Sequence, residues 1–275
     1  MTESTEYSIE SSGRKLFDWG ELWRYRELFY FFTWRDIKIK YKQTFLGFLW
    51  AILQPLMMMV IFTFFFGKAL NIPSQNLPYP VYVFSGLLIW NLFSAGLTSA
   101  SNSMVNNATI IKKIYFPRLI IPVSSILVAL FDFLMAFVLF IGILIFYQQP
   151  VSWLAIICWP LALLIGMVAT LGLGSLLAAL NVKYRDFRYV IPFLVQILFF
   201  LTPVIYPISM LDNPVLKYIL ACSPMYAAVE LFRYPLTGIM PDYLFLSASL
   251  MAGLILLVAG IVYFKSTEDF FADFA

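Results

Sequence analysis

The chain alternates between long apolar tracts and short polar segments. A helix needs roughly 20 apolar residues to cross a bilayer, where its backbone polar groups must be paired internally. Six tracts have about that length and apolarity: 44–67, 81–100, 120–147, 153–180, 190–208 and 243–264. The proline-interrupted pieces at 210–238 are too short to cross, and they predict re-entrant helices on the outer side. The pattern therefore predicts an all-α membrane protein with six transmembrane helices.

The segment 22–42, ahead of the first tract, is amphipathic. At helical spacing it carries one aromatic and apolar stripe beside one cationic stripe. The stripes are Tyr30, Trp34, Ile37 and Tyr41, and Arg35, Lys38 and Lys42. This combination is typical of a helix lying in the lipid headgroup layer. A calmodulin target or a nucleic-acid arm would also be basic, but neither explains the immediate continuation into a membrane span.

The segment 1–43 is therefore predicted to hold a mobile cytoplasmic tail followed by amphipathic interface helices. The segment 44–275 is predicted to be the transmembrane domain. The first residues contain three glutamates and no apolar core, so we do not expect a cleavable secretory signal.

Composition supports a membrane protein. Of the 275 residues, 62% are hydrophobic and 12% are charged, against roughly 45–50% and about 25% in soluble domains. The chain is too short to add a large catalytic domain to several spans, so we expect any energy source on another chain. It has no histidine, and its two cysteines lie in different surroundings. We therefore expect no metal site, no Ser-His-Asp triad and no disulfide framework.

Basic islands at 106–118 and 183–189 interrupt the apolar tracts. Of the 18 Lys and Arg residues, all but Lys68, Lys217 and Arg233 fall in these islands or near the two termini. Because cytoplasmic loops carry an excess of Lys and Arg, this distribution predicts that both termini and both islands are cytoplasmic.

The first island has the pattern of a short helix in a compact elbow. Asn106, Asn107 and Thr109 are suited to cap a helix start, and Pro117 and Pro122 oppose a continuous helix. Such an elbow can dock against a soluble protein. A simple tether that obeys the charge rule is the alternative.

The third tract contains one carboxylate, Asp132. An acid at the centre of a membrane costs about 3 kcal/mol on insertion scales unless it faces protein or water. We favour structural pairing or a pore-facing position over proton relay, since a relay needs a second titratable partner.

Several stretches resemble one known family. The run WRDIKIKYKQTFLGFLWAILQPL at 34–56 is similar to the start of permease subunits of ABC exporters for lipid-linked polysaccharides. That group moves O antigens, capsular polymers and teichoic acids. The runs IIKKIYFPRLIIP and NVKYRDFRYVIPFLVQILFFLTPVIYP, and the acidic, aromatic ending FADFA, resemble the same family in the same order. The resemblance extends over nearly the whole chain from about residue 20.

The resemblance implies a homodimeric transport subunit, not an enzyme, with six spans per copy. It implies two separate nucleotide-binding subunits that hold ATP and Mg²⁺, no cofactor in this chain and no nucleic-acid partner. The expected substrate is a lipid-linked polysaccharide, O antigen above all, with capsular polymer or teichoic acid as alternatives. The expected location is the inner membrane of a bacterium. The chain contains no GxxxxGK[ST] motif, which agrees with an ATPase on another chain.

The resemblance also assigns roles to residues. It assigns ATPase coupling to Asn106, Asn107, Ile110, Ile111, Lys112, Lys113, Tyr115, Phe116, Pro117, Arg118, Lys183, Arg185 and Asp186. It places the interface and gate helices at 22–42 and the outer re-entrant helices at 210–238.

Two further roles are hypotheses about the substrate path. A lipid pyrophosphate in the inner headgroup layer would meet Arg35, Lys38 and Lys42. A polymer channel between the first and fifth spans would be lined by Trp50, Trp90, Phe199, Phe200 and Tyr206. Core packing is the alternative for each aromatic residue.

Three other classes remain as rivals. A membrane enzyme acting on lipid-linked sugars would need converging acids, a histidine or a metal set, and the sequence offers only Asp132, Asp186 and scattered loop acids. A proton-coupled carrier would depend on Asp132 alone. A structural scaffold leaves the basic islands unexplained.

Overall fold

The structure, a computed structural model, describes residues 19–42, 47 and 49–268. The predicted tail at 1–18 and the acidic, aromatic ending at 269–275 lie outside the described residues, as does most of the junction at 43–48. All regular structure in the described ranges is helical, which confirms the all-α prediction.

The helices follow one another along the chain as α1 (Trp19–Arg24), α2 (Arg26–Lys42), α3 (Leu49–Phe62), α4 (Tyr79–Asn106), α5 (Ala108–Ile111), α6 (Ile120–Phe146), α7 (Ala155–Lys183), α8 (Phe187–Leu201), α9 (Pro214–Ala221), α10 (Tyr226–Thr237) and α11 (Tyr243–Ser266). A π-helical segment, Thr63–Ala69, continues α3, and a short 3₁₀ turn lies at Ile208–Met210.

Within the described ranges, five helical segments are long and apolar enough to cross a membrane: α3 with its π-helical extension, α4, α6, α7 and α11. Helices α9 and α10 meet at a bend of 98°, and counting this pair as one span would bring the total to six. Helix α8 has 15 residues, or about 22 Å at roughly 1.5 Å per residue. It is shorter than the hydrocarbon layer.

Helix α8 ends earlier than the apolar tract at 190–208 suggests. Thr202 already has an extended backbone, with ψ 130°. Pro203 explains this, because a proline disfavours helical geometry in the residue before it. The end of the helix cannot be recognised from composition alone, because the apolar tract continues past it to residue 208.

Helix α4 forms the centre of the bundle. It packs against α3, α6, α7, α8 and α10, and 78% of its apolar stretch of 18 residues is buried. By contrast, only 6% of the corresponding stretch of α3 is buried. The apolar surface of α3 therefore faces outward from this single copy.

The bundle has two ends that differ in charge. The basic end holds α5, the segment 112–119 and the turn 184–186, because α4, α7 and α11 end there and α6 begins there. A small core at this end joins α2, α4, α5, α6, α7 and α11. The distal end holds the segments 70–78 and 147–154 with α9 and α10.

Local signals fix the helices of the distal end. Asn213 caps α9 by accepting a hydrogen bond from Val215 N at 2.9 Å, and Asp242 caps α11 through Leu244 N at 2.8 Å. Gly238 ends α10 with φ 67°, a left-handed conformation that favours glycine.

Helices α7 and α11 cross where two glycines meet. A Cβ added to Gly172 would lie 2.6 Å from Leu257 Cα, and Gly260 packs directly on the Gly172 carbonyl. Small residues allow this backbone contact, which is a main source of helix association in membranes.

We predict that Gly172→Ala lowers the free energy of unfolding in detergent by about 1–3 kcal/mol, because the new methyl group meets backbone. Gly253→Ala is the matched control, since a Cβ there has no atom within 4 Å. It should be neutral or stabilising by up to about 1 kcal/mol through helix propensity. Thermal unfolding measures both, and equal midpoints would contradict the close crossing.

Candidate functional site

The first basic island, residues 106–118, folds as an elbow between α4 and α6. Asn107 ends α4, and the expected side-chain cap on α5 is not formed. Instead, Asn107 Nδ2 donates to Ser103 O at 2.8 Å, and Asn107 Oδ1 accepts from Arg35 Nη2 at 2.7 Å. The asparagine therefore joins α4 to α2.

The elbow has buried anchors and an exposed tip. Ile111 and Phe116 lie in the core of the basic end, where Phe116 packs against Phe32 of α2 with ring centroids 5.6 Å apart. Between the anchors, residues 112–115 are exposed, and Tyr115 is 81% exposed. We call residues 112–115 the tip. It presents two lysines and two large apolar side chains on a fixed base.

The second basic island lies at the same end of the bundle. Lys183, Arg185 and Asp186 are exposed, and the Lys183 ammonium lies 5.4 Å from the centre of the Tyr184 ring. Val182, one residue before the island, belongs to the same core as Ile111. The fold thus places both predicted coupling segments around one core.

The three predicted lipid-phosphate cations have different surroundings. Arg35 is held by Asp36 at 2.7 Å and by Asn107, and its guanidinium lies 4.9 Å from the centre of the Phe32 ring. Lys38 lies 5.3 Å from the centre of the Trp34 ring, and Lys38 and Lys42 are exposed. Arg35 therefore links α2 to the elbow, whereas the ammonium groups of Lys38 and Lys42 remain accessible to an anion.

A groove with both polar and apolar side chains in its wall runs beneath α2. One cavity, of about 490 Å³, lies between α2, α3, α4, α6 and α8, and its wall includes Gln54, Asn91 and Asp132. A second, of about 550 Å³, lies between α2, α4, α5 and α6. Both cavities are lined by Lys40 and Ser99. We call the two cavities together the groove.

Asp132 in α6 is paired with α2. Lys40 Nζ and Tyr41 Oη each donate to its carboxylate. Burial, followed by the hydrogen bond and charge of Asp132, raises the pKa of Tyr41 above its usual value, so the phenol keeps its proton and remains a donor. This arrangement supports structural pairing as the role of Asp132. Lys40 was not among the predicted site residues, because 92 positions separate it from Asp132.

The predicted aromatic lining is distributed over several places. Trp90 is 5% exposed and lies in the main core. Phe199 packs between Phe62 and Trp90, with centroid distances of 5.8 and 5.3 Å. Trp50 lines the groove. Phe200 is exposed, and Tyr206 Oη donates to its carbonyl at 2.6 Å.

A buried arginine at the distal end was missed by the sequence reasoning, which counted Arg233 only as a charge of the outer loop. Its side chain in α10 is fully buried. Arg233 Nη1 donates to Pro203 O at 2.8 Å and to Tyr82 Oη at 3.0 Å, and Nη2 donates to Val204 O. Arg233 therefore pairs the carbonyls that the break after α8 leaves free.

Comparison with known proteins identifies the family. The family model described as ABC-2 type transporter matches residues 27–237. The chain belongs to the ABC-2 type transporter family. The match covers α2 through α10 and so includes both basic islands, the groove and Arg233.

Curated relatives agree over nearly their whole lengths. The O-antigen export system permease protein RfbA of Myxococcus xanthus is 30% identical, over 92% of this chain and 97% of the relative. The protein of the same name from Klebsiella pneumoniae is 28% identical, over 87% and 91%. The Polysialic acid transport protein KpsM of Escherichia coli is 24% identical, over 86% and 91%.

Family membership confirms the predicted transporter class. An ABC-2 chain with several apolar helices is a multi-pass membrane protein, and its named relatives are transport proteins. The membrane-enzyme and scaffold interpretations have no comparable support.

We predict that Arg233→Met destabilises this ABC-2 chain by about 3 kcal/mol or more, because it leaves buried carbonyls without a donor. Arg233→Lys should recover only part of the loss, since one ammonium cannot reproduce the guanidinium fork. Lys68→Met replaces an exposed distal cation and should change stability by less than about 0.5 kcal/mol. Thermal unfolding in detergent compares the variants, and equal stability of Arg233→Met and Lys68→Met would refute the role of Arg233.

Proposed function

We propose that this chain is the membrane permease subunit of an ABC exporter that moves a lipid-linked polysaccharide, in particular O antigen, across the inner membrane of a bacterium. The observation that carries this proposal is the similarity to O-antigen export permeases over nearly the whole length of both proteins. The chain is the transport subunit, and ATP hydrolysis belongs to a partner.

A capsular polysaccharide is the second candidate substrate. It is favoured by the match to two proteins named for polysialic acid transport. Their identities of 24% and 23% are lower than the 30% and 28% of the O-antigen permeases, which is why we place O antigen first. Teichoic acid has no matching relative among these proteins.

The tip is the proposed contact with the ATPase. It combines Lys112 and Lys113 with the exposed side chains of Ile114 and Tyr115, a mixture suited to a groove with an acidic rim. Because Ile111 and Phe116 fix the base of the elbow in a core shared by six helices, a push on the tip displaces packed helices and not a free loop. Lys183, Arg185 and Asp186 provide the second contact. Two nucleotide-binding subunits, with ATP and Mg²⁺, complete the assembly.

The basic end is proposed to be cytoplasmic, with both termini on that side. Lys and Arg residues favour the cytoplasmic side of a membrane, and both islands lie at this end. Helix α2 then begins in the inner headgroup layer as the interface helix of the 1–43 segment, and its last turn reaches Asp132 within α6. Helices α9 and α10, bent by 98°, form the re-entrant outer pair of the 44–275 transmembrane domain.

A second copy of the chain is proposed to cover part of the exposed apolar surface of α3. Helix α3 is the least buried of the candidate spans. It contacts α8 through Phe62 and Phe199, and the two helices carry the exposed rings of Trp50 and Phe200. A polymer path between two copies would use these exposed rings, since sugar rings stack on aromatic faces. Trp90 and Phe199 support the wall from within the core, and Tyr206 orients the end of α8.

We predict that Tyr115→Ala weakens association with the partner ATPase by about tenfold, the effect of removing one exposed aromatic anchor worth about 1.4 kcal/mol. Trp153→Ala is the control, because Trp153 is also a strongly exposed aromatic residue, 72%, but lies at the distal end. Co-purification of the detergent-solubilised complex, titrated with free ATPase, measures the affinity. A larger loss for Trp153→Ala than for Tyr115→Ala would refute ATPase docking at the basic end.

We predict that a strain lacking this chain accumulates lipid-linked polysaccharide inside the cell and shows none at the surface, and that the intact gene restores display.

Lys38→Ala combined with Lys42→Ala should lower the export rate several-fold, since each lysine near a membrane surface contributes about 1 kcal/mol to binding an anionic headgroup. Lys68→Ala at the distal end is the control.

Surface polysaccharide is measured by antibody or lectin binding to intact cells. Normal display in the deletion strain would refute the proposed function. Full export by the Lys38 and Lys42 double variant would refute only the proposed role of these two lysines in binding the lipid pyrophosphate.

A further inference from the structure

In addition to its apolar packing through Phe32, helix α2 makes two polar joints with the bundle. Near its middle, Arg35 Nη2 donates to Asn107 Oδ1 of the elbow at 2.7 Å. Near its end, Lys40 and Tyr41 donate to Asp132 of α6. Residues 35 and 40 are less than two helical turns apart, so α2 connects the elbow directly to the middle of a membrane span.

The second joint borders a partly open cavity whose wall mixes polar and apolar side chains. Lys40 and Asp132 both line the cavity of about 490 Å³, together with Gln54, Asn91 and Ser94. These groups come from α2, α3, α4 and α6 and supply amide, hydroxyl, ammonium and carboxylate positions around one cavity. Asn91 and Ser94, with Thr98 of the same cavity, follow helical spacing along a single face of α4.

Asp132 is the residue whose environment must change if α2 moves. Its side chain is only 18% exposed and lies within an apolar span. An ionised carboxylate in such a place needs a cation, hydrogen-bond donors or water. Separation of α2 from α6 would therefore draw water or a hydroxyl-rich ligand into the groove.

We propose that Asp132, Lys40 and Tyr41 form a latch that holds α2 closed over the groove, and that Arg35 and Asn107 link this latch to the elbow. When the latch opens, the Asp132 carboxylate and the polar face of α4 accept a polyhydroxylated segment, a sugar unit next to the lipid carrier. Displacement of the elbow by the ATPase opens the latch through Arg35. This last step rests on the proposed function, whereas the closed latch does not.

Accessibility of the groove tests the latch. Ser94→Cys places a thiol in the groove, in a background where Cys158 and Cys222 are replaced by alanine and serine. The full chain is purified with its partner ATPase, reconstituted in lipid nanodiscs, and treated with a water-soluble maleimide. The labelling rate reports how often the groove is open. Size-exclusion chromatography confirms that each variant remains assembled.

Asp132→Asn and Lys40→Met should each raise the labelling rate about tenfold, a loss of about 1.4 kcal/mol in closure. Tyr41→Phe should give a smaller rise, because it removes one hydrogen bond and keeps the ring near Phe131, at a centroid distance of 6.0 Å. The exchange of Lys40→Asp with Asp132→Lys should return the rate to within about threefold of the starting value. Glu27→Gln is the acid-to-amide control on the exposed side of α2 and should leave the rate unchanged.

An unchanged rate in both Asp132→Asn and Lys40→Met would overturn the latch, whatever the protein exports. If the exchanged variant does not assemble, the labelling rate of Tyr41→Phe decides. The shared latch would also be overturned if Tyr41→Phe is labelled at the rate of the starting protein while Lys40→Met is labelled faster.

The link to the elbow has its own readout. A non-hydrolysable ATP analogue should accelerate labelling in the starting protein and have much less effect in Arg35→Gln. Equal acceleration in the two proteins would overturn the link through Arg35. Failure of polysaccharide export in cells would instead count against the proposed function, and it would not alter the resting labelling rates.

Discussion

Two charged side chains inside this bundle, Asp132 and Arg233, are paired within the protein, and these pairings tie the N-terminal helix and the distal helices to the central spans. In hydrocarbon, a carboxylate or a free carbonyl without a partner is costly. Asp132 is met by Lys40 and Tyr41 from a helix outside the apolar tracts. The carbonyls released after α8 are met by Arg233 from α10. The amphipathic N-terminal helix and the bent distal pair thus each gain a charged contact with the bundle in addition to their apolar packing.

The two fixed points lie at different depths, Asp132 near the middle of α6 and Arg233 in the distal end, and they have different mechanical consequences. Arg233 is fully enclosed and makes several hydrogen bonds at once, so the distal junction behaves as a rigid unit. The Lys40 side chain is 47% exposed, and an ion pair of this kind can separate at lower cost. A stiff distal end and a releasable contact between α2 and α6 are compatible with a transporter that receives force at its basic end.

Local sequence features predicted the parts of the fold that depend on neighbouring residues. The apolar tracts, the amphipathic segment and the two basic islands needed only periodicity and charge, and the structure places helices in each tract. The early end of α8 was missed, although Pro203 was visible, because apolar composition continued past it. Pairings between distant segments, such as Lys40 with Asp132, leave no local signal. The aromatic candidates show the same limit: residue type alone cannot distinguish a core ring such as Trp90 from an exposed ring such as Trp50.

The central claim is that this chain moves a lipid-linked polysaccharide only when an ATPase drives it. The most direct test reconstitutes the purified chain with its partner ATPase in proteoliposomes and follows labelled lipid-linked polysaccharide into a compartment protected from added glycosidase. The account predicts that protection requires both proteins and ATP hydrolysis, and is lost with an ATPase that binds but cannot hydrolyse ATP. Protection, or chemical processing of the glycolipid, by this chain alone would contradict it.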